Sequence, residues 1–472
     1  MTSATRTQRR VAALAAGTIL AMLIALFPAL APTPALAATA ANLGVSLGGG
    51  AQGSTTATLR QGTVAARSIV LVRQWRQDAL NDSRIKFKDS SDGKYYTVAQ
   101  YLTRKGMTQS AYLNPSWDTN LERIAVQRAL ESTYLCDHVR YGDGTSSSTA
   151  AVNGVSTAYE VLAYAGTSMD TAFGFWMGEK ADYIKYVSGD SSITFADIGH
   201  YQNIIMPAST AMGFGMVNGM AAGETSTTAP KSTSQLGLNG SYDLKIAVPT
   251  AKLKAGTLSG VADRMAIGRS AQPSVTMTGA SLSANTFTGV TPTAVTVPTS
   301  SVSTSNAAVM TASGNTLKAV GTGTVTITAK DAGGTSRSKS VTVQRFSDIN
   351  PGHAHEADIN WVYDNGIAQG YANGDGTWRY EGMTPVYRQD MAAFLHRLAK
   401  LAGKDTGVTL DTSFTDVTDS TPHADDIRWL AGAAITEGYK QSDGTVKYQG
   451  MFPVYRQDMA AFIHRLDTRL DK

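Results

Sequence analysis

Four residues in the first half of the chain, His138, Glu160, Glu179 and His200, have side chains suited to holding a cation or moving a proton. The chain has 7 histidines, and His353, His355, His396, His423 and His464 all lie in a duplicated C-terminal segment. Only His138 and His200 serve everything before that segment. They sit in the phrases Cys136-Asp-His138-Val-Arg140-Tyr-Gly142-Asp-Gly144 and Gly199-His200-Tyr201-Gln202, and the two glutamates between them lie in apolar surroundings. A buried charge is costly unless it is paired. Two imidazoles and two carboxylates converging on one place would meet that requirement. A pair of histidines with open coordination would bind Zn2+ or another divalent cation and activate water, with a glutamate as base. Taken singly, each of the four also reads as a satisfied core residue or a solvated charge; the ordered set points to a site.

These side chains need elements to position them. Trp176, Glu179 and Tyr183 fall at i, i+3 and i+7, one face of a helix, and the aromatics turn that face inward. Leu121, Ile124, Ala125 and Ala129 form a helical stripe leading to Cys136 and His138. The alternation from His200 to Met206 predicts a strand, with Met212–Val217 as a second strand pairing antiparallel to it.

The phrases Asp137-His138-Val139-Arg140, Tyr159-Glu160-Val161-Leu162-Ala163, Trp176-Met-Gly-Glu179-Lys-Ala-Asp-Tyr183 and Gly199-His200-Tyr201-Gln202 follow one another with their His and Glu residues 22, 19 and 21 apart. In order and spacing they resemble the CAP superfamily of SCP-like extracellular proteins, over roughly residues 66–225. Tyr159 and Val161 stand where the family has Gly and Asn beside its first glutamate, and Gln202-Asn203 where it has Thr-Gln. The resemblance implies an α/β domain, an α-β-α sandwich, with an open cavity lined by His138, Glu160, Glu179 and His200. It also implies His138 and His200 as metal ligands, and a divalent cation, lipid or sterol as guest.

The N-terminus predicts a secretion signal over residues 1–37: Arg6, Arg9 and Arg10, an apolar run from Val11 to Leu30, and Ala35-Leu36-Ala37 for cleavage. Its removal takes the formal charge from +4 to +1, which leaves no case for nucleic-acid binding. The single Cys136 forms no internal disulfide, which suits an exported protein of a Gram-positive bacterium. With no apolar tail before Lys472, no transmembrane anchor is expected after signal cleavage.

Residues 38–65, rich in Gly, Ala, Ser and Thr, predict a flexible lead-in, and 226–245 a linker. Val/Thr alternation over 246–345 predicts a β-sandwich, and Leu317-Lys-Ala-Val-Gly-Thr-Gly-Thr-Val-Thr-Ile-Thr328 resembles bacterial Ig-like group 2 domains. That segment holds no cluster of ionisable groups, so a spacer that can be deleted without loss of binding is expected. Residues 346–398 align without a gap to 414–466, with 28 of 53 positions identical, so the two units are expected to fold alike. The units (346–400 and 414–472, with a linker at 401–413) resemble S-layer homology repeats, which implies mainly α-helical helix–loop–helix modules that hold a cell-wall polymer. The family's Thr-Arg-Ala-Glu phrase is Tyr387-Arg388-Gln389-Asp390 here, and two repeats stand where three are usual. Phe346, Trp361, Phe394 and their copies are expected in the core and His396 on the surface. Arg388 and Arg456, placed where each second helix begins, are expected to contact an anionic polymer.

Three functions stay open on this reading. The chain is a secreted, cell-wall-associated binding protein for a cation or for a small-molecule or lipid ligand, or a metal-assisted hydrolase, or a structural wall protein or adhesin with a vestigial site. No nucleophile elbow, His-Glu-x-x-His zinc motif or P-loop appears in the sequence.

Overall fold

The structure is a computed structural model describing residues 39–470 except 351, 375, 376 and 455; the side chains at 456–458, 460, 461, 463 and 469 are not described. The expected signal segment 1–37 lies outside the described residues. The chain divides into two compact units, one built from the stretch up to Gly48, Ser54–Ile246 and Ser283–Thr293, the other from Gly49–Gly53, Ala247–Leu282 and Ala294–Lys472.

Half of the expected flexible lead-in is ordered. Residues 51–60 form β1 (Ala51–Arg60), and the chain then enters α1 (Gln61–Asn81). Thr55, Ala57 and Leu59 point inward and Thr56, Thr58 and Arg60 outward. This is a period of two that small side chains disguise.

The first unit is a three-layer arrangement around a sheet ordered Ser116–Trp117, β3, β4, β2. One layer is α2 (Thr119–Tyr134), capped at its start by Asp118, whose side chain accepts from the N–H groups of Asn120 and Leu121. The sheet's long strands are β2 (Tyr159–Tyr164), β3 (Ala211–Val217) and β4 (Met220–Ser226), all antiparallel. On its other face α1, α3 (Met169–Met177), α4 (Lys180–Val187) and α5 (Gly199–Ile205) enclose an aromatic core of Trp75, Phe173, Trp176, Tyr201 and Phe214. Helix α2 lies directly on strand backbone. A Cβ at Gly213 would stand 2.1 Å from the Glu122 nitrogen, and one at Gly215 2.5 Å from that of Val126. Only glycine permits this approach.

Two local expectations are corrected. His200–Met206 is not a strand: Gly199–Ile205 is helix α5, with Tyr201, Ile204 and Ile205 buried at i, i+3 and i+4. A seven-residue run in which polar and apolar residues interleave fits either period. The partner of β3 is therefore β4, reached through the turn at Asn218 and Gly219. The expected linker is also shorter than its bounds: β4 runs to Ser226, and the Lys231 N–H donates to Asp118 at 3.1 Å.

In the second unit, strands β5 (Arg264–Ala266), β11 (Ser336–Gln344), β10 (Gly323–Lys330) and β7 (Ser301–Thr304) form one sheet in that order. Strands β6 (Ser270–Ala271), β9 (Thr316–Ala319) and β8 (Met310–Ser313) form another. Met310, Leu317, Val325, Ile327, Val341 and Val343 share the core between them. The segment 246–345 is not self-contained, however. Residues 283–293 belong to the first unit: the Ala284 N–H donates to the Tyr134 carbonyl and the Asn285 amide to that of Ser132, both at 2.7 Å. Phe287 stacks on Tyr164 with centroids 6.1 Å apart. Part of the expected spacer therefore belongs to the first unit.

The C-terminal repeats share a plan: helix, short hairpin, helix. The first has α6 (Glu356–Asp364) and α7 (Arg388–Leu401), the second α8 (Ala424–Gly432) and α9 (Arg456–Leu470). Equivalent residues adopt the same left-handed backbone, His355 and His423 at φ 64° and 61°, Glu381 and Gln449 at 58° and 60°. Phe346, Phe414, Trp429 and Phe462 are buried. Trp361 is a correction, because its side chain stands 49% exposed. His396 is another: it stacks on Trp429 at 4.4 Å and its Nδ1 lies 2.7 Å from Asp426.

Candidate functional site

Arg128 explains how the first unit holds its carboxylates. It is fully buried on α2, and its Nε donates to Glu160 at 2.7 Å. Its Nη1 reaches Glu131 at 2.5 Å and its Nη2 the Asp137 carbonyl at 2.7 Å. Arg140 donates to Glu131 from the other side at 2.7 Å. The result is a buried chain, Arg140–Glu131–Arg128–Glu160, that fixes the turn bearing His138. Such a chain tolerates burial only because each charge meets an opposite one with hydrogen-bond geometry.

The four predicted residues meet at the end of this chain. His138 turns its Nδ1 to Glu160 at 2.8 Å, and His200 turns its Nδ1 to Glu179 at 2.5 Å. The ring centroids are 5.6 Å apart. Glu179 stands at the junction of α3 and α4, where Gly178 keeps helical backbone, and its second oxygen accepts from the Tyr201 N–H at 3.0 Å. One carboxylate thus orients the ring of His200 and closes the first turn of α5. Exposure is graded: the Glu160 and Glu179 side chains are 3% and 19% exposed, those of His200 and His138 27% and 52%. The imidazoles open directly to solvent.

Burial pushes the Glu160 carboxyl up, but the hydrogen bond from His138 and the Arg128 guanidinium outweigh it and hold the carboxyl at about 2. Glu160 is therefore an anion, and the Nδ1 of His138 must donate to it. Across the sheet its register partner is Glu224, fully buried on β4. Burial, with the charge of Glu160 beside it, pushes the Glu224 carboxyl well above the usual carboxylate range, so it stays neutral. Burial likewise pushes the Cys136 thiol up to about 11, which leaves little thiolate at neutral pH.

With both Nδ1 atoms engaged, each histidine keeps Nε2 for a ligand. Two imidazoles on one tetrahedral zinc ion place their centroids roughly 5 Å apart. The donor types and spacing thus fit a cation held by His138 and His200, with Glu160 and Glu179 as the carboxylates that orient them. Among the described residues no three His, Cys, Asp or Glu side chains converge as a metal-binding group. Any such ion would complete its coordination with water or substrate.

The sequence did not single out Arg128, Glu131 or Glu224. The first two carried a signal, opposite charges three apart on a helix with few other charges facing the sheet. Glu224 carried none. The expected polymer contacts fare differently. Arg388 is buried: its Nε donates to the Tyr448 carbonyl at 3.0 Å, and its guanidinium lies over the rings of Tyr439, Tyr448 and Phe462. It joins the two repeats and is not presented to a polymer, which corrects that expectation. The Arg456 side chain lies outside the described residues.

Two known families match parts of the chain. Residues 77–226 match the model of CAP, the Cysteine-rich secretory protein family, and residues 345–374 match the S-layer homology domain. No curated protein matches the chain.

Proposed function

We infer that the chain, whose CAP and S-layer homology domains fit an extracellular, cell-wall-associated CAP protein, acts at the cell wall. Among the described residues no helix is long and apolar enough to cross a membrane. We propose that the CAP domain binds a divalent cation, Zn2+ or a similar ion, through the Nε2 atoms of His138 and His200. The C-terminal repeats then hold the protein at the wall. The observation that carries the cation reading is the pairing of both Nδ1 atoms with carboxylates while the rings stay 5.6 Å apart. When bound, the ion would supply a polarised water. Glu160 and Glu179 hold each ring in the tautomer with a free Nε2, and Arg128 keeps Glu160 ionised for that task. The sandwich of the second unit is read as a bacterial Ig-like domain and residues 414–472 as a second S-layer homology repeat.

Calorimetric titration of the full chain with Zn2+ tests the cation. Saturable one-to-one binding that disappears in both His138→Ala and His200→Ala supports the reading; binding unchanged in both variants ends it. Retention of the full chain on purified wall sacculi, lost when the sacculi are stripped of anionic polymer, tests the anchor.

A further inference from the structure

Formal charge is segregated along the chain. Residues 38–245 hold 17 basic and 17 acidic residues, a net charge of 0. Residues 246–345 hold 9 lysines and arginines against 2 aspartates, a net charge of +7, and residues 346–472 hold 12 against 18, a net charge of −6. The near-neutral total conceals a strongly basic sandwich segment followed by acidic repeats.

The segment's own acids do not neutralise it. Asp263 bonds Lys339 at 2.9 Å, and Asp331 bonds Arg337, whose other donors go to the Gly256 and Leu253 carbonyls. Arg345 meets Asp364 of the first repeat at 2.7 Å. Those three cations are tied into the fold. Lys254, Arg264, Arg269, Lys318 and Lys330 stand exposed.

Two of the exposed cations line one cavity. Arg264 opens β5, and Arg269 lies on the turn between β5 and β6. The cavity, of about 530 Å³, is lined by both arginines with Ser270, Ser347, Asn350 and Thr377. That volume falls within the range of small-molecule sites, about 300–1,000 Å³. The turn is pinned to β9: the Arg269 carbonyl accepts from the Ala319 N–H, and the Gly268 N–H donates to the Ala319 carbonyl, both at 2.9 Å. Arg264 donates from Nη1 to the Asn350 side-chain oxygen at 2.5 Å, a neutral partner that orients the guanidinium without cancelling its charge. Lys318, exposed on β9, is the register partner of Ser270 and sets a third cation beside the cavity. No described lining residue carries a carboxylate. Asp348, between two lining residues in sequence, gives its oxygens to the N–H groups of Tyr380 and Glu381.

A cleft lined by one sign of charge concentrates ions of the other. Guanidinium groups hold phosphate or carboxylate through paired hydrogen bonds, and the hydroxyl and amide groups beside them suit the hydroxyls of a sugar or polyol. We propose that the sandwich segment is a binding module for an anionic glycan, with Arg264 and Arg269 holding a phosphate or carboxylate of the polymer and Lys318 adding to the attraction. The choice of a glycan among polyanions rests on the wall-associated reading above. The net charge of the repeats repels such a polymer, and the basic segment supplies the long-range attraction that they lack.

Calorimetric titration of the full chain with soluble poly(glycerol phosphate) and, separately, with polygalacturonate tests this. Wild type is expected to bind at least one of them, with an affinity that falls as salt rises. Arg264→Ala/Arg269→Ala is expected to bind roughly tenfold more weakly or worse, with a shallower salt dependence. Arg264→Lys/Arg269→Lys keeps the charge and is expected to stay closer to wild type than to the alanine variant, which a merely structural role for the two arginines would not produce. Lys318→Ala, at a separate exposed position, is expected to weaken the same binding should the double alanine variant melt early. The polymer bound more tightly identifies the anionic group. Wild type that binds neither polymer overturns the proposal, as does binding unchanged in both alanine variants. Tighter binding to duplex DNA than to either polymer at the same salt overturns the glycan assignment. Retention on sacculi separates this failure from that of the anchor: a double alanine variant retained as well as wild type counts against this cavity alone, whereas wild type that is not retained counts against wall anchoring.

Discussion

His138 and His200 are held alike: each ring engages a glutamate through Nδ1, and the ring centroids stand 5.6 Å apart. On the proposed reading the two carboxylates orient the rings rather than bind the ion. Glu160→Gln and Glu179→Gln are therefore expected to weaken Zn2+ binding by about 10- to 100-fold without abolishing it, whereas His138→Ala abolishes it. Protons compete for Nε2, so affinity falls in acid. Titrations at several pH values check both points.

Arg128 has no substitute in its buried chain. Arg128→Ala leaves buried Glu160 with His138 as its one remaining side-chain partner and Glu131 with Arg140 alone among the arginines, a loss of about 3–5 kcal/mol by comparison with other broken buried pairs. Urea unfolding of the first unit's transition reads it. A loss below 1 kcal/mol would mean that water reaches Glu160.

Glu160 and Glu224, opposite each other in register, answer pH in opposite senses. The carboxyl of Glu160 titrates at about 2 in the fold, below its ordinary value of about 4.3. Its contribution is therefore complete above about pH 5 and is lost as pH falls through about 2. Glu224 is held protonated, so the folded state binds a proton that the unfolded state releases, and stability falls as pH rises above about 4.3. Glu224→Gln is expected to remove that decline, raising the melting temperature relative to wild type at pH 8 more than at pH 4.

Residues 283–293 brace the first unit from outside its own sequence range. Deleting 246–345 is expected to lower the first unit's melting temperature. Asn285→Ala, which leaves the Ser132 carbonyl without its donor, should cost about 1–3 kcal/mol on its own. Differential scanning calorimetry of the full chain with that substitution checks this.

The tetrad was legible because its residue types are scarce before residue 350 and fall in ordered phrases. Its supports were less so. Arg128 and Glu131 look like any solvated i, i+3 pair until α2 is seen buried on both sides. The Gly199–Ile205 helix was hidden because seven residues cannot distinguish a period of two from one of 3.6 when polar and apolar residues interleave. Strand β1 was hidden by small side chains, and the role of Arg388 by an assumption that arginine seeks anions. Here three aromatic rings hold it.

The seating of α2 on Gly213 and Gly215 makes the site sensitive at a distance. These glycines touch neither histidine, yet a single methyl at either would have to displace the backbone of α2 at Glu122 or Val126. Arg128 and Glu131 ride on that same helix, and the turn carrying His138 hangs from them. A screen for lost cation binding should therefore recover alanine at two strand glycines among its strongest hits, in proteins that still fold. The glycine hydrogens that face α2 at 213 and 215 thus bear on the placement of His138 through that helix.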